Sequence, residues 1–247
     1  MNMEIRNISF RETPDIETAS ESYALRFSGE IGKYFLRIQT EATLEMLQPW
    51  KGCSILDVGG GHAQTALPLL DNGYEVTIFG SAPECSIRLN QKLKKDSYEF
   101  VCGDILKLPF TDGAFDIVIS YRLISHVNRW KRLIAEMTRV ARIGVVVDYT
   151  SILSINIISP LLFKLKKSIE GNTRNFVCFR KKALSREFSK NGFQVRKKYP
   201  EFFFPMVMHR FLKRAELSTM AEKLCRIIGL TDLMGSPIIL LMLRNET

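Results

Sequence analysis

The run Ser54-Ile55-Leu56-Asp57-Val58-Gly59-Gly60-Gly61-His62 has the residue types and spacing of a ligand cradle. An apolar strand reaches an acid, a glycine cluster follows, and a helical pattern covers 62–71. Glycine has no Cβ and tolerates positive φ, so Gly59, Gly60 and Gly61 let the backbone approach a ligand closely. A helix beginning there aims its unpaired N–H groups at the same spot. That chemistry suits a nucleotide-like molecule. The spacing is not the dinucleotide fingerprint G-x-G-x-x-G, because Gln64 stands at the sixth position. A G-x-x-x-x-G-K-[ST] phosphate loop is also absent, so ATP or GTP hydrolysis has no support. Read alone, the run is equally a tight turn that serves packing.

Other stretches bear on that choice. The run Glu75-Val76-Thr77-Ile78-Phe79-Gly80-Ser81 ends a second strand pattern with two small residues. Cys102-Gly103-Asp104-Ile105, followed by Leu108-Pro109-Phe110, puts a carboxylate in a loop after a third. Phe115-Asp116-Ile117-Val118-Ile119-Ser120-Tyr121 is a fourth, with Arg122 and His126 just beyond. Asp57 and Asp104 can accept hydrogen bonds from a ligand, or simply cap a turn. His126 is a candidate general base or a packed imidazole, and the chain has only 3 histidines.

The elements that position these residues alternate along the chain. Helical spacing over 17–48, interrupted at Gly29 and Gly32, precedes the first strand. Strands are expected at 54–58, 74–79, 98–102, 115–120 and 144–149, with helices at 62–71, 83–94 and 125–141 between them. Repeated strand–helix alternation predicts βαβ units, hence an α/β, doubly wound, mostly parallel sheet that binds ligands at the carboxyl ends of its strands. Beyond Tyr149 the pattern breaks. A helix at 183–190, strands at 193–199 and 237–243, and a helical excursion over 205–230 complete seven strands. The expected organisation is an N-terminal helical cap over 1–49 and one domain over 50–247, with inserted segments at 150–182 and 205–236 forming lids.

Taken together, these stretches resemble the class I S-adenosylmethionine (SAM)-dependent methyltransferases, in particular the small-molecule type 11 and quinone-biosynthesis methyltransferases. The resemblance covers 53–126 in motif and roughly 50–247 in topology. It implies a seven-stranded Rossmann-like sheet whose last strand inserts antiparallel. It implies SAM as cofactor, with Asp57, Gly59, Gly60 and Gly61 at its methionine part, Asp104 at the adenine amino group and Ile105 packed on the ring. Tyr121 would lie beside the reacting methyl, and His126 would be the general base. At the end of the second strand the family places an acid that grips the ribose hydroxyls. This chain has Gly80 and Ser81 there, and Glu84 one turn on.

Composition bounds the partners. Of 247 residues 46% are hydrophobic, ordinary for a globular core, and the N-terminus shows no secretory pattern. Five scattered cysteines without a C-x-x-C pair indicate reduced thiols in a cytoplasmic protein and no metal site. Charge is uneven: residues 1–120 hold 11 Lys/Arg against 17 Asp/Glu, and residues 121–247 hold 24 against 9. A basic half suits an anionic or membrane-associated acceptor, or nucleic acid, or is a solvated surface. Aromatic and Met residues at Tyr23, Phe27, Tyr34, Phe35 and 202–208 suit an apolar small-molecule acceptor or a core; His209 and Arg210 could hold an anion. The expected function is methyl transfer to a small lipid-like or anionic acceptor. RNA methylation and a non-catalytic SAM-binding scaffold are the alternatives.

Overall fold

The computed structural model describes residues 12–154, 177–212 and 214–245. β-Branched and aliphatic runs build one seven-stranded sheet: β1 (Ser54–Val58), β2 (Glu75–Gly80), β3 (Glu99–Cys102), β4 (Phe115–Ser120), β5 (Ala141–Tyr149), β6 (Phe193–Pro200) and β7 (Ile238–Arg244). Their order is β3-β2-β1-β4-β5-β7-β6, and β7 runs antiparallel to both neighbours. The order reverses between β1 and β4, and ligands bind such sheets beyond the carboxyl ends at that reversal.

Period-two alternation sorts the strands onto two faces. Leu56, Val58, Val118, Val145 and Val147 face α6 (Trp130–Val140) and α7 (Lys181–Lys190), meeting Leu133, Met137, Leu184 and Phe188. Ile55, Ile78, Ile117, Ile119 and Val146 face α3 (Gly29–Leu47), α4 (Ala66–Asp71) and α5 (Ile87–Lys92), through Met46, Leu47, Leu69 and Leu89. Asp57, Tyr121 and Asp148 continue the α3 side of their strands, so polar groups collect at that face's carboxyl edge.

Several elements are shorter than the sequence suggests. The expected helix over 17–48 is α1 (Asp15–Thr18), α2 (Glu21–Ala24), a 3₁₀ turn Leu25–Phe27, and α3. The helix expected from 62 starts at Ala66, because Gly60–His62 form a 3₁₀ turn. Its N-terminus is therefore set back from the glycines. The helix expected from 125 starts at Trp130, after a turn Ile124–His126. The excursion over 205–236 contains α8 (Met206–Leu212), α9 (Ala215–Ile227) and α10 (Leu230–Met234). Much of the expected insertion at 150–182, including Lys164, Lys166, Lys167 and Arg174, lies outside the described residues.

Arg139 joins α6 to the loop carrying Leu108-Pro109-Phe110. It donates to Leu108 O at 2.9 Å, Phe110 O at 2.7 Å and Asp112 Oδ1 at 2.9 Å. It also pairs at 2.8 Å with Glu136, a buried carboxylate that accepts the Leu108 N–H at 3.0 Å. Arg139→Ala is expected to cost about 2 kcal/mol, because two carbonyls lose their donor and the buried Glu136 is left with only Arg132 and the Leu108 N–H. Urea denaturation measures this, and a loss below about 0.5 kcal/mol would contradict the clamp.

Candidate active site

At the end of β1, Gly59 adopts φ 79°, turning the chain sharply over the sheet edge. A Cβ on Gly60 would lie 2.3 Å from Asp57 Oδ2, and one on Gly61 would lie 2.6 Å from Cys85 O. These glycines are thus required by close approach. Asp57 is fully buried beneath the loop, and neither of its carboxylate oxygens has a hydrogen-bond partner. Burial pushes its pKa up from 3.8 to about 7, against the pull of Arg122. His62 is also fully buried. Its Nδ1 accepts the Gln64 N–H at 3.1 Å, and its Nε2 has no partner. Burial and nearby Arg122 and Arg88 hold it well below the usual imidazole range, so it is neutral.

Beside the loop, Ser81 is buried with its Oγ unpartnered. Its N–H donates at 2.7 Å to Asp15 Oδ2, a carboxylate brought from α1. The Cys85 thiol, pushed up to about 12 by burial and by Asp15, donates to the same oxygen at 3.4 Å. Asp15 Oδ1 has no partner, although the residue is fully buried. Gly80 has no room for a side chain, since its Cβ would meet Cys85 Cβ at 2.7 Å and the Phe100 ring at 3.1 Å. Glu84, which could have reached back, is exposed.

The segment carrying Asp15 is pinned at both sides. Glu12 accepts from Asn128 N at 2.6 Å and from Arg129 N and Nε at 3.1 and 2.9 Å, before α6. Glu21 pairs with Arg88 of α5. Between these anchors α1 lies on the glycine loop: a Cβ on Gly61 would be 2.9 Å from Ala19 Cβ.

A second polar group lies across β4. Arg122 takes a left-handed backbone (φ 58°), strained for a non-glycine residue. Its N–H donates to Asp148 Oδ1 at 2.6 Å. Its guanidinium donates to Gln39 Oε1 at 2.5 Å and to Gln64 Oε1, and it stacks 4.2 Å over the Phe27 ring. Burial pushes Asp148 up to about 6, with Arg122 opposing. Burial, then nearby Asp148, pushes Glu201 up to about 8. Glu201 Oε1 is buried without a partner.

The residues expected from sequence divide here. Asp57, Gly59, Gly60, Gly61, Gly80 and Ser81 meet at the ends of β1 and β2. Asp104 stands half-buried after β3, its Oδ1 accepting the Leu106 N–H at 2.9 Å. Ile105 is fully buried in the apolar cluster with Phe79 and Leu123, so it packs into the core. Tyr121 follows the alternation of Ile117 and Ile119 toward α3, where its hydroxyl meets Thr43 Oγ1 at 2.6 Å. Burial holds it well above the usual phenol range, so it is a fixed, neutral support and does not face an open site. His126 is half-buried on the turn after β4. His209 is fully buried and pairs with Glu222 Oε1 at 3.0 Å, so it supports the insertion and holds no anion. Asp15, Asp148 and Glu201 were not expected. Asp148 did carry a signal, being the acid that closes the apolar run 145–147.

The chain resembles known proteins in sequence and in fold. Residues 56–147 match the model of a family described as Methyltransferase domain. Over 98 residues the chain is 35% identical to ajmaline N-methyltransferase of Rauvolfia serpentina, covering 37% of this chain and 33% of that protein. Over 95 residues it is 33% identical to demethylmenaquinone methyltransferase of Renibacterium salmoninarum, covering 38% of each. The matched part thus spans little more than a third of these curated relatives. The crystal structure of magnesium protoporphyrin IX methyltransferase from Synechocystis with bound SAH superposes with a TM-score of 0.64 at 13% identity, covering 93% of this chain and 97% of that one. Residues 56–147 form a methyltransferase domain of the class I, SAM-dependent kind, on the Rossmann-like sheet of that class.

Two outcomes follow from the packing and the burial. Gly80→Asp, which would place an acid at the end of β2, is expected to cost about 1–3 kcal/mol by overpacking against Cys85 and Phe100. A thermal midpoint equal to wild type would show that the space exists. The folded pKa of Asp57 lies above its unfolded value, so the stability it contributes below about pH 4 is lost as pH rises through about 7. Asp57→Asn should therefore gain on the ligand-free wild type with rising pH, by up to about 4 kcal/mol at pH 8. Denaturation at pH 4 and 8 reads this, and a pH-independent difference would refute it.

Proposed function

We propose that this chain transfers the methyl group of SAM to a small, lipid-like or anionic acceptor. The observation that carries this reading is the concentration of buried, unpartnered polar atoms around the glycine loop: Asp15 Oδ1, Asp57 Oδ1 and Oδ2, His62 Nε2 and Ser81 Oγ. Leaving such groups unpaired costs about 1–3 kcal/mol each, so they fit a ligand rich in hydrogen-bonding groups. The solved SAH complex of the magnesium protoporphyrin IX methyltransferase supports SAM as that ligand. SAM supplies a methyl on a sulfonium, already a good leaving group.

The chain's own residues then bind, orient and exclude water. Gly59–Gly61 bring backbone close to the ligand. Asp57 accepts from its ammonium group, whose charge restores the ionised carboxylate. Asp104 accepts from the adenine amino group. On the acceptor side, Glu201 keeps its proton at neutral pH and Asp148 is ionised. Asp148 is thus the base we favour for an acceptor hydroxyl or amine, ahead of His126 and Tyr121. The left-handed Arg122 faces both acids and would hold an anionic group of the acceptor.

A lipid-like acceptor is supported by α9, where Leu217, Met220, Leu224 and Ile227 recur along one side and are 45%, 70%, 59% and 73% exposed. Quinone methylation by the demethylmenaquinone relative points the same way. No helix among the described residues is long and apolar enough to cross a membrane.

Calorimetry with SAH should give micromolar binding that Asp104→Ala weakens at least about tenfold, the loss for one hydrogen bond to a charged group. A panel of isoprenoid phenols, carboxylates and RNA, assayed with labelled SAM, should label the first two classes. With such an acceptor, kcat should rise as Asp148 ionises through about pH 6. Absence of SAH binding in the wild type would end the reading, and labelling of RNA alone would move it to nucleic acid.

A further inference from the structure

We infer that Asp15, carried by α1 outside the methyltransferase domain, is the carboxylate that grips the vicinal diol of the bound nucleoside. This rests on the reading that the site takes SAM. Four observations place Asp15 there. First, β2 cannot supply the acid itself, because any Cβ at position 80 would meet Cys85 Cβ at 2.7 Å and Phe100 at 3.1 Å. Second, the Asp15 carboxylate occupies that strand end from another part of the chain, its Oδ2 bound to the Ser81 N–H at 2.7 Å and the Cys85 thiol at 3.4 Å. Third, it spans to the glycine loop, since a Cβ on Gly59 would lie 3.6 Å from Asp15 Cβ. It therefore stands between the two strand ends a nucleoside must bridge. Fourth, Asp15 Oδ1 and the adjacent Ser81 Oγ are both buried without partners.

The chemistry selects the ligand group. A carboxylate only accepts hydrogen bonds, so its partner must donate. Oδ2 already takes an N–H and a thiol and keeps lone-pair capacity; Oδ1 is entirely open. Two adjacent hydroxyls meet two carboxylate oxygens, with Ser81 Oγ beside them as donor or acceptor. Hydrogen bonds to an ionised group are about twice as strong as neutral ones, so loss of the charge should be felt in affinity. The N–H of Ser81 and the anchors at Glu12 and Glu21 pre-position the carboxylate, which limits the ordering cost on binding.

The experiment compares SAH with its 2′-deoxyadenosyl analogue by calorimetry, on wild type and Asp15→Asn. Wild type should prefer SAH by about tenfold or more. Asp15→Asn should weaken SAH by about 10- to 100-fold and reduce the preference to within about threefold. A wild type that binds neither compound overturns the SAM reading, and Asp15 with it. A wild type that binds SAH, alongside an Asp15→Asn protein with unchanged affinity and preference, overturns the Asp15 assignment alone. Should Asp15→Asn lose its cooperative thermal transition, a crystal structure of the wild type with SAH decides. Asp15 oxygens within about 3.2 Å of the ribose hydroxyls support the assignment, and a carboxylate directed elsewhere overturns it.

Discussion

Much of this architecture depends on one guanidinium. Arg122 bears electrostatically on three buried acids, Asp57, Asp148 and Glu201. Each is pushed toward its neutral form by burial, and Arg122 pulls each back toward ionisation. The cation is itself held by α3 through Gln39, by the loop after the glycines through Gln64, and by Phe27 beneath it. Three parts of the chain, distant in sequence, thus converge on one charge. The left-handed backbone at Arg122 is the cost of aiming it, and the Asp148 carboxylate on its N–H stabilises that conformation. Without that charge, burial would raise the proton affinity of all three acids further.

What was legible in the sequence was local. The β4 boundaries, Phe115–Ser120, follow from a β-branched run with clear ends, and the parallel part of the sheet follows from strand–helix alternation, whereas the antiparallel last strand was implied only by the family likeness. The glycine loop was visible because close backbone approach leaves few residue choices. The orientation of Tyr121 was not read from the sequence; in the structure it lies with Ile117 and Ile119, its hydroxyl on Thr43 of α3.

The remainder was tertiary. Asp15 reaches Ser81 across 66 positions, and nothing near either residue announces the pairing. Glu201 gains its perturbed proton affinity from burial and from Asp148, neither visible in the run around it. His209 read as a residue that could hold an anion, yet its Nε2 meets the buried Glu222 thirteen positions on, and its Nδ1 is buried without a partner. The late starts of α4 and α6 have one cause. The chain leaving β1 and β4 first makes a 3₁₀ turn at the sheet edge, and this uses residues that helical periodicity assigns to the helix.

The anchored N-terminal segment has a kinetic consequence. Glu12 ties it to the start of α6 and Glu21 ties it to α5, with α1 seated on the glycine loop between them. Anything enclosed beneath α1 has a residence time no shorter than the interval between openings of that segment, on the order of microseconds to milliseconds for loop-scale motions. The Glu21–Arg88 pair is exposed on its acidic side, so its hold weakens as ionic strength rises. Salt then loosens one of the two anchors that seat α1 on the glycine loop and leaves the Glu12 anchor in place.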